Sequence, residues 1–209
     1  DDKGSFLSLN TSMFALPWLH RYDHDRFNSN LIYCAPHITG ARVLGEVGSD
    51  DPNDSWYDRR FRYTDIDWDT LVEETLQFGQ RIQLTIFGGL AYSNTPGKRW
   101  TAVQFFIGLY HKYPNAFNSF EISNELFKNG PDFNEAVSLM QAVKDACPGL
   151  LVSISSPPGM EESQYKPYVE AKETLFTYHV DRDDKNGSDP WRWLKQFWDV
   201  AINLKFIND

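Results

Sequence analysis

Apolar positions along this chain alternate between two rhythms. Short β-rich runs occupy residues 6–9, 41–47, 82–87, 117–123, 150–155, 175–179 and 204–207. Between them the apolar residues recur at helical spacing. Trp68, Leu71, Val72, Thr75, Leu76 and Gly79 form one face, and Val103, Phe106, Ile107 and Tyr110 a second. Phe133, Ala136, Val137, Met140 and Val143 form a third, and Trp191, Leu194, Trp198 and Ala201 a fourth. Weaker helical patterns cover 27–34 and 165–171. Asp67 can cap the helix starting at Trp68, and Asp189-Pro190 reads as a cap followed by proline at the first helical position. Pro114 and Pro148-Gly149 fall where helices should stop.

Strict alternation of strand and helix predicts an α/β fold with parallel pairing and right-handed crossovers. The run at 82–87 is almost wholly apolar, as expected of a parallel strand covered on both faces. The expectation is a single domain over 1–209, a (β/α)8 TIM-type barrel. Seven strand patterns are visible where a full barrel needs about 250 residues. The pattern therefore reads as running out near strand seven, with the barrel incomplete at the C-terminus or the fold an open sheet.

Composition narrows the partners. The 209 residues are 41% hydrophobic and 15% aromatic, enough for one sizeable core. Twenty basic against 29 acidic residues give a net charge of -9, which argues against a nucleic-acid partner. No apolar run is long enough to cross a bilayer. Asp1-Asp2-Lys3 does not read as a signal peptide, and without an initiating Met the chain reads as processed, tagged or a fragment. Cys34 and Cys147 show no metal-like spacing and read as free thiols.

Barrels of this kind gather their chemistry where strands end. Strand two carries Arg42 and Glu46, and strand three ends in Gly88-Gly89 with Tyr92 and Asn94 beyond. Strand four reads Phe120-Glu121-Ile122-Ser123-Asn124-Glu125, strand five ends in Ser155-Ser156, and strand six contains His179, Asp181 and Arg182. The strand-four run resembles the signature of the retaining glycoside hydrolase clan that includes cellulases, β-mannanases and β-galactosidases. The resemblance implies Glu125 as general acid/base and Asn124 as the ligand of the sugar 2-hydroxyl. It also implies Arg42 on strand two as the support of the nucleophile, and His179 as a residue lining the cleft. The clan's nucleophile is a Glu ending strand seven. Here that strand closes in Asn208-Asp209, so the resemblance places the nucleophile beyond residue 209.

The chemistry accounts for the residue types. Glycosidic cleavage needs an acid on the leaving oxygen, and retention needs a second carboxylate about 5–5.5 Å away. Glu46, Tyr92 and Trp191 join the candidate substrate-binding residues, and Trp56 and Trp100 are further rings able to stack on a sugar face. The implied partner is an oligo- or polysaccharide, with no cofactor and no metal.

Plainer readings compete. Glu125 can be a carboxylate favoured at a helix start with Asn124 as its cap, and Arg42 can pair structurally with Glu46 or Glu121. Two other functions compete as well. One is a metal-dependent barrel using His37, Glu46, Glu125, His179 and Asp181. The other is a non-catalytic carbohydrate-binding or structural barrel.

Overall fold

The computed structural model describes residues 10–48, 52–53, 57–126, 130–155 and 171. Within them, five strands form one sheet in sequential order: β1 (Asn10–Ser12), β2 (Gly40–Glu46), β3 (Arg81–Phe87), β4 (Phe117–Ser123) and β5 (Leu151–Ser153). Every neighbouring pair is parallel. The crossovers contain α1 (Leu16–Tyr22), α2 (His24–Cys34), α3 (Trp68–Gln77), α4 (Pro96–Lys112) and α5 (Phe133–Ala146). This is the α/β layering that strand–helix alternation dictates.

The helix starts rest on side chains that satisfy otherwise unpaired amides. Asp67 accepts hydrogen bonds from the Thr70 amide at 3.2 Å and its hydroxyl at 2.8 Å. Asp132 does the same for the Glu135 amide at 3.1 Å, and Asp23 for that of Arg26 at 3.2 Å. Thr95 caps α4, with Pro96 following at its first turn. Gly149, just past α5, has a φ of +89°, a conformation glycine adopts without the steric cost other residues meet.

Sheet register decides which side chains share a face. Arg42 is level with Gln83, Leu44 with Thr85, and Thr85 with Glu121. The intervening residues Val43, Leu84, Phe120 and Val152 are fully buried, as are Ile86 and Ile122. Gly45 marks the side against which the helices lie. A Cβ there would come within 2.8 Å of the Phe106 ring on α4, so glycine lets helix and sheet approach. Phe106 is itself fully buried and meets Trp68 edge-on at 5.0 Å, joining α4 to α3.

Sequence and structure differ at a few elements. The first described strand is Asn10–Ser12, and the expected run at 6–9 lies outside the described residues, as do those at 175–179 and 204–207. The expected helices at 165–171 and around Trp191–Ala201 fall outside as well, save for Ala171 in a turn. Helix α1 has no counterpart in the sequence reading, and α2 begins three residues before the expected 27. The α3 face is narrower than expected. Leu76 is exposed, and Gly79 lies past the helix end with a φ of +70°. Among the described residues no helix is long and apolar enough to cross a membrane.

Candidate active site at the strand ends

Arg42, in the middle of β2, reaches across β3 to Glu121 on β4. Its Nη2 donates to Glu121 Oε1 at 2.7 Å and Oε2 at 2.9 Å, and its Nε donates to Oε2 at 3.0 Å. The Thr85 hydroxyl on β3 adds a bond to the same Oε2 at 3.1 Å. Glu121 is fully buried, and this fork of donors is what makes its burial tolerable. Of the two structural partners open to Arg42 in the sequence, Glu121 is the one it takes. The Arg42 guanidinium also lies 5.0 Å from the Phe14 ring centre.

The Asn124-Glu125 pair follows β4 directly. The Arg42 Nη2 donates to Asn124 Oδ1 at 3.2 Å, and the Asn124 amide donates to the Phe87 carbonyl at the end of β3 at 2.9 Å. With Oδ1 held by the guanidinium, the amide NH2 of Asn124 is the end that can donate to a ligand. Glu125 sits in the left-handed region with a φ of +50°, the single such non-glycine residue among those described. A carboxylate residue there costs about 1–3 kcal/mol of backbone strain, and such positions cluster at functional sites. Its amide donates to Ser155 Oγ at 2.8 Å, and Ser155 Oγ in turn donates to the Ser123 carbonyl at 2.8 Å. Both Asn124 and Glu125 have half-buried side chains at the C-terminal end of the sheet.

Glu46, the last residue of β2, occupies a different setting. It is 1% exposed, and among the described residues neither carboxylate oxygen makes a well-formed hydrogen bond. Burial pushes its carboxyl up to about 7. The nearby Ser93 hydroxyl and amide pull the other way, as do the Arg62 and Lys98 charges, without cancelling the effect. Glu46 and Tyr92 line one pocket of about 320 Å³, together with Arg62, Tyr63, Ser93 and Lys98. Arg62 stacks over the Tyr92 ring at 4.8 Å from its centre. Arg42, Glu121, Asn124 and Glu125 are not among the residues lining this pocket.

The structure thus places Arg42 beside Asn124, and Glu46 beside Tyr92. His179, Trp191, Asp181, Arg182 and Trp56 lie outside the described residues. Trp100 projects from α4 and is 48% exposed. His37, proposed with Glu46 in the metal-dependent reading, lies in the turn after α2. Sequence reasoning missed Ser155 as the holder of Glu125. It also missed Arg99, which grips Glu135 on α5 at 2.6 and 2.8 Å and donates to the Ser93 carbonyl at 3.1 Å, bracing the loop that carries Tyr92. Arg99 in the first turns of α4 and Glu135 in the first turn of α5 are spaced too far apart in sequence to announce the pair.

No protein-family model matches this chain, and no curated protein matches it in sequence. Solved structures do. A glycoside hydrolase family 5 protein from Bacteroides vulgatus superposes with a TM-score of 0.61 at 15% identity, over 93% of this chain and 48% of that one. A family 5 mannosidase from Rhizomucor miehei, in complex with mannosyl-fructose, gives 0.62 at 13% identity, over 94% and 65%. The fold is that of the glycoside hydrolase barrels. Another glycoside hydrolase gives 0.60 at 14% identity over 91% and 48%, so the chain spans about half the length of several structures it matches. In such a barrel the C-terminal ends of the parallel strands are where reacting groups gather, and Glu46, Asn124 and Glu125 lie at those ends, with Arg42 and Glu121 deeper in their strands.

Proposed function

We propose that this chain carries the acid/base half of a retaining β-glycosidase site acting on an oligo- or polysaccharide. The observation that carries the reading is the left-handed backbone of Glu125 at the end of β4, pinned by Ser155 beside an Asn124 whose amide oxygen is held by Arg42. Glu125 protonates the leaving glycosidic oxygen and later takes a proton from water, while Asn124 donates to the sugar 2-hydroxyl. The second carboxylate comes from outside the described residues, and on this reading His179 and Trp191 serve substrate binding. Glu46 and Tyr92 serve substrate binding in the neighbouring pocket.

A second reading is a barrel that binds carbohydrate without cleaving it. The commitment of Arg42 to Glu121 favours it, since that arginine is the support the nucleophile would need. Assay of the full-length protein and its Glu125→Gln variant on a panel of aryl β-glycosides separates the two. The enzyme reading expects turnover, with a loss of about 10²–10⁴-fold in the variant. Unchanged turnover in the variant removes Glu125 from its role. Oligosaccharide binding without turnover in either protein supports the second reading.

A further inference from the structure

Away from the strand ends, three elements of the outer layer bring metal-ligating atoms together. His20 lies in the last turn of α1, His24 opens α2, and Glu74 sits on α3. His24 Nε2 is 2.8 Å from Glu74 Oε2, and His20 Nε2 is 3.4 Å from the same oxygen. One ligand atom from each residue lies within 4.8 Å of the other two. Tetrahedral zinc with bonds of about 2.0–2.1 Å separates its ligand atoms by about 3.3 Å. The side chains therefore need only small rotamer adjustments to enclose an ion.

One observation points toward a ligand rather than a simple hydrogen-bonded surface. The His20 side chain is 8% exposed, yet its Nε2 has no hydrogen-bond partner among the described residues. That nitrogen faces the Glu74 carboxylate at 3.4 Å, in the middle of the cluster, without hydrogen-bond geometry. The surroundings then supply what a metal-bound imidazole needs. Phe27 stacks on His24 at 5.5 Å and meets His20 edge-on at 5.0 Å, fixing both rings. The Asn28 amide lies 3.2 Å from His24 Nδ1. With the amide turned over, its oxygen accepts from Nδ1–H and leaves Nε2 to the metal.

We propose that His20, His24 and Glu74 form a zinc site with two imidazole ligands and one carboxylate, its fourth position open to water. Nitrogen and oxygen donors in this number suit Zn²⁺ rather than Mg²⁺ or Ca²⁺, which prefer all-oxygen shells. His24 is half exposed, so the ion approaches from solvent without the helices parting. Bound there, the ion clasps the α1–α2 elbow to α3.

Isothermal titration of the full-length protein with ZnCl2, alone and after chelator treatment, is the test. The expected result is one equivalent bound with micromolar Kd and a thermal midpoint raised by several degrees, lost on chelation. His24→Ala and Glu74→Gln, at positions exposed enough to leave folding intact, should each weaken binding at least about a hundredfold. Asn28→Ala should weaken it about tenfold, as outer-shell partners do. His111→Ala, on α4, should leave it unchanged. Binding no tighter than millimolar, or equal binding in the parent, His24→Ala and Glu74→Gln proteins, overturns the site and leaves the cluster a hydrogen-bonded pair.

Discussion

Two carboxylates of the same sheet, Glu46 on β2 and Glu121 on β4, are both almost wholly buried, yet they survive burial in opposite ways. Glu121 takes three hydrogen bonds from the Nε and Nη2 of Arg42 and a fourth from the Thr85 hydroxyl. Glu46 has no such fork and instead moves its titration up to about 7, so near neutrality it is as much acid as anion. A buried charge must be paired or given up. The paired carboxylate contributes a fixed scaffold for Asn124. The unpaired one is chemically pliable, facing a pocket with Arg62 and Lys98 at its edge.

The largest test of this contrast removes one member of the pair. Glu121→Leu strands the Arg42 guanidinium and should cost about 3–5 kcal/mol in denaturant unfolding. Combining it with Arg42→Met should recover most of that loss, because no uncompensated charge remains. A single variant costing less than about 1 kcal/mol would break the distinction between the two carboxylates.

The next effect concerns Glu46 and pH. Its folded titration point lies above the ordinary 4.5, so between 4.5 and about 7 the folded chain holds a proton that the unfolded chain releases. Stability therefore falls as pH rises through that window and levels off above it. The loss amounts to roughly 3 kcal/mol. Glu46→Gln should flatten this slope and unfold later than the parent at pH 8, as thermal midpoints between pH 5 and 8 would show. An identical slope in the variant would mean that Glu46 is better solvated than its burial implies.

Asp67 supplies the smallest and opposite case. It is exposed, and the hydroxyl and amide of Thr70 hold its carboxyl below the ordinary value of 3.8. Its contribution is present above that value and disappears as pH falls through the lowered one. Asp67→Ala should cost about 1 kcal/mol near neutrality, by loss of the α3 cap. Chemical denaturation at pH 7 and pH 3 should show the difference shrinking on acidification, the reverse of the Glu46 trend.

Much of the sheet was legible because β2, β3 and β4 are short apolar runs between helical patterns, and Asp67 announced α3 by its own chemistry. Helix α1 was not legible. Its seven residues include Pro17, His20 and Arg21, too few and too mixed for a periodic face to emerge. The Asn124-Glu125 pair stood out as a motif, whereas the strain at Glu125 and its bond to Ser155 depend on where β5 lies. Arg42 had two plausible acidic partners in sequence, and only the register of β2 against β4 through β3 brings Glu121 within reach. Glu46 shares its pocket with residues 62–64 and 91–93, which no local pattern connects to it. His20 and Glu74 are likewise far apart in the chain and meet only when α1 packs near α3.

The backbone of Asn124 and Glu125 is hooked on both sides, to the Phe87 carbonyl at the end of β3 and to the Ser155 hydroxyl just past β5. Both hooks belong to the sheet's rim rather than to excursions above it. The polypeptide that leaves β3, and that beyond Glu125, can therefore be lengthened, trimmed or exchanged by recombination without displacing this dipeptide. Reshaping what the rim receives then becomes a problem of loop grafting, separable from the geometry that aims Glu125.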